Sequence, residues 1–309
     1  MSSPTPFSSL DLQAALLSNL ADIGYAEMTL VQAETLPHLL GGADVLARAK
    51  TGSGKTAAFG LGLLHRLDAS RFRSQALVLC PTRELADQVS KEIRRLARTI
   101  GNVKILTLCG GVPLGPQLAS LQHSPHVIVG TPGRVLKHLR QGTVALGELK
   151  TLVFDEADRM LDMGFADELN AILEFLPRDR QTLLFSATYP DSIAAISKRV
   201  QRDPVIVDVT DDEQPAHIEQ RWCSVTRENR NPELVRALRA WGGALNLVFC
   251  NTKVDCAEVA DYLNSEKIVA VALHGDLDQG ERNEVLVRFA NRSAVVLVAT
   301  DVAARGLDV

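Results

Sequence analysis

Short runs of apolar residues alternate along the chain with longer segments in which apolar residues recur at every third or fourth position. In segment 84–99, for example, Leu85, Val89, Ile93 and Leu96 fall on one face of a helix. The strands predicted for the first part of the chain are 44–47, 76–80, 103–109, 126–130, 151–154, 182–185 and 204–209. Continuous apolar strands separated by amphipathic helices are typical of a parallel sheet covered by helices on both faces. The pattern therefore predicts an α/β fold with a doubly wound parallel sheet.

The alternation is interrupted at residues 210–216, where acidic residues and Pro215 stand between apolar runs. A proline within a cluster of charges indicates an exposed linker. Beyond it, apolar runs that predict strands return at 218–225, 244–250, 268–273 and 294–299. We therefore expect an N-terminal lobe over residues 1–208, a linker over 209–217 and a second, partial lobe over 218–309.

The composition narrows the class of protein. Of the 309 residues, 46% are hydrophobic and 23% are charged, which is close to the globular average and argues against disorder, collagen and coiled coils. No apolar stretch approaches the roughly 20 residues needed to cross a bilayer, and the N-terminus lacks the basic segment and apolar core of a secretory signal. The five cysteines form no C-x-x-C pair, so we expect buried thiols, no structural metal and a cytoplasmic location. The net charge of −4 offers no global basic field, so any nucleic-acid site must be built locally.

A glycine-rich segment between a predicted strand and a predicted helix carries the first candidate chemistry. It comprises Thr51, Gly52, Ser53, Gly54, Lys55 and Thr56. Glycines allow the backbone to turn tightly and to direct successive N–H groups at phosphate oxygens, and the following helix N-terminus adds partial positive charge. In this pattern the lysine reaches the β- and γ-phosphates and the threonine hydroxyl binds Mg²⁺. The alternative is a Gly/Ser-rich surface loop, but the strand context favours a nucleotide site.

Two acidic residues follow the predicted strand 151–154. Asp155 and Glu156 would lie at the carboxyl end of this strand, which is where ligands bind in open α/β sheets. Asp155 is placed to hold Mg²⁺, and Glu156 to orient and deprotonate a water molecule that attacks the γ-phosphate. Acidic residues in this position also serve as helix caps, so the motif alone leaves both interpretations open. Together with the glycine-rich segment, it indicates a catalytic site made of Lys55, Asp155 and Glu156.

The sequence Asp155-Glu156-Ala157-Asp158, combined with the glycine-rich segment, resembles the DEAD-box family of ATP-dependent RNA helicases. The other family motifs follow in order from Phe7 to Val309, and the first half is most similar to the bacterial DbpA subgroup. The resemblance implies two RecA-like lobes, with ATP and Mg²⁺ as cofactors and RNA as the partner of a monomeric protein. Helicases of the DbpA type are directed to ribosomal RNA by a further C-terminal domain, so ribosomal RNA and a role in ribosome assembly are implied as well.

The resemblance also implies roles for individual residues. Gln32 would read adenine, and Tyr25 would stack on the base, with core packing as the alternative for Tyr25. The residues expected to face RNA in the first lobe are Pro81, Thr82, Arg83, Gly110, Gly111, Thr131, Pro132, Gly133 and Arg134. Those expected to couple hydrolysis to unwinding are Asp158, Ser186, Thr188 and Arg305. In the second lobe, Arg282 and Thr300 would contact RNA, and Asp308 would lie near the ATP ribose.

The chemistry of these motifs bears on the expected activity. Backbone N–H, hydroxyl and guanidinium groups suit contacts to phosphate and ribose rather than base reading, so we expect an RNA-dependent ATPase that binds without sequence preference. A DNA-directed helicase and a non-catalytic ATP- or RNA-binding fragment are the alternatives. The family's His-Arg-x-Gly-Arg-x-x-Arg segment, which supplies an arginine finger, does not occur in the sequence. We therefore expect a truncated chain with a marginal second lobe and impaired activity.

Overall fold

A parallel β-sheet forms the centre of the N-terminal part of the chain. The computed structural model describes residues 5–209 and 219–300, and the chain divides into two units, Met1–Gln214 and Pro215–Val309. Within residues 5–209 the strands are β1 (Val45–Arg48), β2 (Ala76–Leu79), β3 (Ile105–Leu108), β4 (Val127–Gly130), β5 (Thr151–Phe154), β6 (Gln181–Ser186) and β7 (Val205–Asp208). They are all parallel and lie in the order β3-β4-β2-β5-β6-β1-β7.

Helices cover both faces of this sheet. They are α1 (Ala14–Asp22), α2 (Leu30–Leu40), α3 (Lys55–His65), α4 (Arg83–Leu96), α5 (Leu114–Leu121), α6 (Pro132–Arg140), α7 (Ala157–Asp162), α8 (Ala166–Leu173) and α9 (Asp191–Val200). In β1, Val45 and Ala47 pack with residues of α1 to α4, whereas Leu46 packs with residues of α6 to α9. Because both faces are covered, the inner strands β2, β4, β5 and β6 are buried along their whole length. The predicted α/β class is confirmed, and the seven strands predicted between residues 44 and 209 begin and end within two residues of the observed ones.

The strand order brings distant segments together. β1 pairs with β6, and β6 pairs with β5, so the residues that follow these three strands lie side by side at the carboxyl edge of the sheet. β2 pairs with β4, and β4 pairs with β3, so a second group of residues meets farther along the same edge. This edge is the usual ligand-binding position in open α/β sheets.

The second unit contains a smaller parallel sheet. Among residues 219–300 the strands are β8 (Asn246–Cys250), β9 (Ala270–Leu273) and β10 (Val296–Thr300), and the helices are α10 (Arg230–Trp241), α11 (Lys253–Ser265) and α12 (Gln279–Ala290). The strand order is β8-β10-β9. In β10, Val296 and Val298 pack with α10 and α11, whereas Leu297 packs with α12. No helix within residues 5–209 and 219–300 is long and apolar enough to cross a membrane.

One predicted strand is not formed. Residues 219–225, the described part of the run predicted at 218–225, contain no strand, and Trp222 is 90% exposed. A strand needs partners for its backbone N–H and C=O groups, and the described sheet pairs β8 with β10 but not with this segment. The prediction was wrong because an apolar run indicates that a segment suits a strand, not that a neighbouring strand lies beside it.

Candidate functional site

The glycine-rich segment connects β1 to α3. Gly52 and Gly54 have φ angles of +83° and +96°, in the left-handed region that favours glycine. A Cβ atom at Gly54 would also lie 2.6 Å from Nε2 of Gln32 and 2.9 Å from Oγ1 of Thr29, so a larger residue would displace both side chains. The segment leads directly into the N-terminus of α3, where backbone N–H groups have no partners within the helix. A tight turn into a helix N-terminus suits the binding of phosphate.

Lys55 is held inside this turn. Its side chain is buried, and Nζ donates a 3.0 Å hydrogen bond to the carbonyl oxygen of Ala49. Thr56 follows it, half-buried in the first turn of α3. Burial raises the pKa of Asp155, at the end of β5, to about 6, and the positive charge of Lys55 opposes this rise. The turn after β1 and the acidic end of β5 are therefore electrostatically coupled.

Glu156 joins the same two segments through hydrogen bonds. Its Oε1 accepts a 3.2 Å hydrogen bond from the Thr51 hydroxyl, and its Oε2 accepts one of 2.6 Å from Nη1 of Arg159. The Glu156 backbone has φ +54° and ψ +55°, a left-handed conformation that costs a non-glycine residue about 1–3 kcal/mol and is concentrated at functional sites. Arg159 escaped the sequence-based prediction, although a separation of three residues is a spacing at which helical side chains pair.

Gln32 lies against the glycine-rich turn. Its Nε2 donates a 3.1 Å hydrogen bond to the carbonyl oxygen of Gly54, and its Oε1 accepts one of 2.9 Å from the backbone N–H of Thr29. Thr29 is the N-cap of α2 and forms a capping box with Gln32. The amide predicted to read adenine is thus fixed beside the predicted phosphate site. Leu30 begins α2 directly after this cap.

Tyr25 packs against other residues. Its hydroxyl donates a 2.8 Å hydrogen bond to Oε1 of Glu92, and its ring meets the ring of Phe7 edge-on at 5.9 Å between centroids. The guanidinium of Arg95, on α4, lies 5.4 Å from the centroid of the Tyr25 ring. Burial and the Glu92 hydrogen bond raise the pKa of Tyr25 to about 12. These contacts favour the packing interpretation of Tyr25 over base stacking.

The predicted coupling residues of this unit meet between β6 and α7. Oδ2 of Asp158 accepts hydrogen bonds from the Thr188 backbone N–H at 2.9 Å and from the Thr188 hydroxyl at 2.8 Å. Although burial acts to raise the pKa of Asp158, the Thr188 hydrogen bonds hold it below its usual value. The buried Ser186 hydroxyl finds no partner of good hydrogen-bond geometry in the described part of the chain, yet it lies close enough to help lower this pKa.

The residues predicted to face RNA gather where β2, β3 and β4 end. Pro81 and Thr82 link β2 to α4, and the Thr82 hydroxyl caps this helix by accepting a 3.3 Å hydrogen bond from the Leu85 N–H. Gly110 and Gly111 follow β3, and Gly111 has a φ of +74°. A Cβ atom at Gly111 would lie 1.6 Å from Nη1 of Arg83. The Arg83 guanidinium therefore lies directly against this glycine, and a larger residue here would displace it.

The segment after β4 completes this surface. Thr131 precedes α6, Pro132 occupies its first turn and Gly133 is exposed beside it. The half-buried Arg134 donates a 3.0 Å hydrogen bond from Nη2 to the carbonyl oxygen of Val112, in the loop that follows Gly111. The segments after β3 and β4 are thus joined by a side chain.

The predicted residues of the second unit fall into two groups. Arg282 lies in the first two turns of α12, and Thr300 is the last residue of β10. Lys253 and Asp276, which follow β8 and β9, form an ion pair of 2.8 Å. Arg305, Asp308 and residues 210–217 of the predicted linker lie outside the described residues.

Comparison with known protein families identifies both parts of the chain. Residues 29–196 match the family described as DEAD/DEAH box helicase, and residues 231–309 match the helicase conserved C-terminal domain. Over 306 residues the chain is 59% identical to the ATP-dependent RNA helicase DbpA of Escherichia coli (strain K12). It is 43% identical over 306 residues to the DEAD-box ATP-dependent RNA helicase CshA of Bacillus cereus (strain ATCC 10987 / NRS 248). These matches cover 99% of this chain but 67% and 58% of the two relatives.

Solved structures give the same assignment. S. cerevisiae Dbp5 bound to RNA and ADP BeF3 matches with a TM-score of 0.87 and 30% identity, over 98% of this chain and 78% of that one. A DEAD box protein from the hyperthermophile Methanococcus jannaschii matches with a TM-score of 0.64 and 37% identity, over 98% and 82% of the two chains. The expected RecA-like helicase architecture is thereby confirmed.

Proposed function

The chain belongs to the DEAD/DEAH box helicase family, and we propose that it binds ATP and RNA and couples ATP hydrolysis to local separation of short RNA duplexes. One observation carries this proposal. The turn after β1 and the acidic end of β5 are joined through Glu156 and Lys55, while Arg83, Gly111 and Arg134 meet on the same sheet edge. The proposed phosphate site and the proposed RNA-binding surface would thus share one scaffold.

ATP would bind across the glycine-rich turn. Backbone N–H groups of residues 51–56 and the Lys55 ammonium would hold the β- and γ-phosphates. The amide of Gln32 has both a donor and an acceptor, so it matches the edge of adenine and not that of guanine. In the structure this amide bonds to Thr29 and Gly54, and adenine binding would reorganise these contacts.

The residues at the end of β5 fit Mg²⁺. Asp155 offers a buried carboxylate whose pKa is raised by its burial, so a cation beside it would offset an unfavourable negative charge. Thr56 offers a hydroxyl oxygen, and oxygen ligands are those that Mg²⁺ prefers. We assign Asp155 and Thr56 to hold the ion. When bound, Mg²⁺ would neutralise charge on the phosphate oxygens.

Glu156 would act as the general base. Hydrogen bonds from Thr51 and Arg159 orient its carboxylate beside the turn that would hold the phosphates. A carboxylate fixed in this way can align a water molecule with the γ-phosphate and accept its proton. The hydrogen bond between Asp158 and Thr188 would then transmit the state of the site to the end of β6.

RNA would bind along the ends of β2, β3 and β4. Arg83 and Arg134 would contact phosphates, and the backbone N–H groups beside Gly110, Gly111 and Gly133 would contact phosphate or ribose oxygens. Such contacts carry no base information, and a 2′-hydroxyl contact would distinguish RNA from DNA. From the similarity to the E. coli relative we further propose ribosomal RNA as the target, ribosome assembly in the cytoplasm as the setting and a monomer as the active form.

The test is ATP hydrolysis measured alone, with single-stranded RNA and with DNA of the same sequence. We expect stimulation by RNA only. Equal stimulation by DNA would point to a DNA-directed motor, and ATP binding without hydrolysis under all conditions would point to a non-catalytic binding protein. The control is Glu174→Gln, an exposed carboxylate at the end of α8, whose hydrolysis should match that of the parent chain.

A further inference from the structure

A buried glutamine lies beneath the predicted RNA-facing surface. Gln117 is only 7% exposed, although it is polar and lies on the short helix α5. Its Nε2 donates a 3.0 Å hydrogen bond to the carbonyl oxygen of Cys109, directly before Gly110. Its Oε1 accepts a 2.9 Å hydrogen bond from Nη1 of Arg134. One amide therefore connects the segment after β3 with the segment after β4.

The same oxygen has a second buried partner, His138 on α6. Nε2 of His138 lies 2.9 Å from Oε1 of Gln117, and Nδ1 lies 2.8 Å from the Thr143 hydroxyl. Because the amide oxygen only accepts hydrogen bonds, Nε2 carries the hydrogen. The unprotonated Nδ1 then accepts the Thr143 hydroxyl hydrogen over the shorter of two contacts, 2.8 Å to Nδ1 against 3.1 Å to the His138 carbonyl oxygen. That carbonyl oxygen keeps a 3.1 Å hydrogen bond from the Thr143 N–H. With a neutral His138, both ring nitrogens, the Gln117 amide oxygen and the Thr143 hydroxyl have hydrogen-bond partners.

The network also fixes the orientation of the Gln117 amide. If the oxygen and nitrogen were exchanged, the NH₂ group would face the Arg134 guanidinium and the His138 N–H, and the oxygen would face the Cys109 carbonyl. The contacts with Arg134 and with the Cys109 carbonyl would then be unfavourable whichever nitrogen of His138 carries the hydrogen, so these two contacts fix the orientation. No other side chain with this reach supplies one donor and one acceptor in this arrangement. Glutamate lacks the donor, and leucine lacks both.

We propose that Gln117 is a positioning residue for RNA binding, whose amide fixes the Arg134 guanidinium and the loop carrying Gly110 and Gly111 in a single arrangement. The inference rests on the proposed RNA-binding role of Arg134. An arginine side chain loses much conformational freedom when it is ordered, so a guanidinium held in advance of binding gains affinity. Gln117 itself need not touch RNA, since it lies below the groups that do.

The first experiment needs no RNA. Hydrogen exchange of the peptides covering residues 109–113 and 131–135 is compared between the parent chain, Gln117→Leu and Gln122→Leu, an exposed glutamine at the end of the same helix. We expect faster exchange in Gln117→Leu and no change in Gln122→Leu. Unchanged exchange in Gln117→Leu would overturn the proposal, whatever the chain binds.

The second experiment asks whether Gln117 acts through Arg134. Affinity for a fluorescent single-stranded RNA, with a non-hydrolysable ATP analogue present, is measured for Gln117→Leu, Arg134→Ala and the double variant. We expect Gln117→Leu to weaken RNA binding about tenfold. In the double variant it should cause little further loss of affinity beyond that of Arg134→Ala. Additive losses would show that Gln117 acts independently of Arg134 and would contradict the proposal. If no variant or parent binds RNA while exchange responds as expected, the proposed function fails and the positioning of Arg134 stands.

A third variant covers the case in which Gln117→Leu does not fold. Gln117→Glu keeps the oxygen that Arg134 and His138 contact but places a negative charge beside the imidazole. An NMR titration should show a higher pKa for His138 in this variant than in the parent chain, because an adjacent carboxylate favours the imidazolium. An unchanged pKa would show that the Gln117–His138 contact is not formed in solution, which would overturn the network.

Discussion

The Thr188 hydroxyl donates a 2.8 Å hydrogen bond to the Asp158 carboxylate, which links the segment after β6 to the first turn of α7. Glu156, two residues before Asp158, carries the carboxylate that is predicted to be catalytic. Hydrogen bonds from Thr51 and Arg159 hold this carboxylate in place. A rearrangement at Glu156 would therefore displace the start of α7, and the displaced helix would alter the position of Thr188. Among the described residues, neither Thr188 nor Asp158 forms a hydrogen bond with the glycine-rich turn. Their contact therefore connects the segment after β6 with α7 and is not part of the turn itself.

We expect the substitution of Ser186 and Thr188 together by alanine to impair RNA unwinding more than ATP hydrolysis, and to leave ATP affinity unchanged. The loss of a hydrogen bond to a charged group is worth about 1.5–3 kcal/mol, so unwinding should fall by about tenfold or more. Thr188→Ser is the matched control because it keeps the hydroxyl. Strand-displacement and nucleotide-binding assays check the outcome, and a parallel loss of ATP affinity would indicate an ordinary structural turn.

Lys55→Ala and Glu156→Gln should affect different steps. Without Lys55 the phosphates lose a buried cation, so ATP affinity should fall by at least about tenfold. Without the Glu156 carboxylate, ATP should bind as in the parent chain, while hydrolysis falls by about 10²–10⁴. Fluorescent-nucleotide titration and single-turnover hydrolysis separate the two effects. Lys198→Ala, an exposed residue on α9, is the control, and normal ATP binding by both site variants would contradict this division of roles.

The sequence predicted those parts of the site that depend on chain order along a parallel sheet. The glycine-rich turn, Asp155 and Thr188 could be placed because each follows a strand, and the carboxyl ends of parallel strands share one edge. Gln117 could not be placed in the same way, because its role comes from contacts with α6 and with the end of β3, which depend on how α5 packs. Arg159 was missed although its partner Glu156 lies only three residues away. Tyr25 fits a base-stacking motif by position, yet its ring packs on Phe7 and its hydroxyl bonds to Glu92.

Asp44 illustrates a buried polar group that pattern reasoning does not detect. It precedes β1 and is 6% exposed, and its two carboxylate oxygens accept 2.7 Å hydrogen bonds from the backbone N–H groups of Thr182 and Arg202. The carboxylate thereby joins β1, β6 and the end of α9 at the amino edge of the sheet. Hydrophobic periodicity passes over such a residue because its partners are backbone groups that any sequence supplies.

We expect Asp44→Ala to lower the free energy of unfolding by about 3 kcal/mol, because the buried N–H of Thr182 and the partly buried N–H of Arg202 both lose a charged acceptor. Asp44→Asn keeps one acceptor oxygen and should lose about half as much. Urea denaturation followed by circular dichroism provides the measurement. Asp179→Ala is the matched control, since the Asp179 side chain is 98% exposed and forms only a surface ion pair with Arg202, which is worth little. Equal stability of Asp44→Ala and the control would show that the sheet edge does not depend on this carboxylate.

The last prediction concerns the buried His126, between β3 and β4. Its Nδ1 accepts a 3.0 Å hydrogen bond from the Lys104 N–H, and Nε2 lies 3.2 Å from the Ala69 carbonyl oxygen, so the ring is neutral with its hydrogen on Nε2. Burial lowers the pKa of His126 below its usual 6.5. The positive charge of Lys104 also lowers this pKa, whereas the negative charge of Asp68 acts to raise it. Below about pH 6.5 the unfolded chain therefore binds a proton that the folded chain does not, and stability falls as the pH decreases. We expect urea denaturation between pH 7.5 and 5 to show this fall, and His126→Gln to reduce its slope while His38→Gln, at an exposed position, leaves it unchanged. An identical slope in His126→Gln and the parent chain would show that His126 does not resist protonation in the folded state.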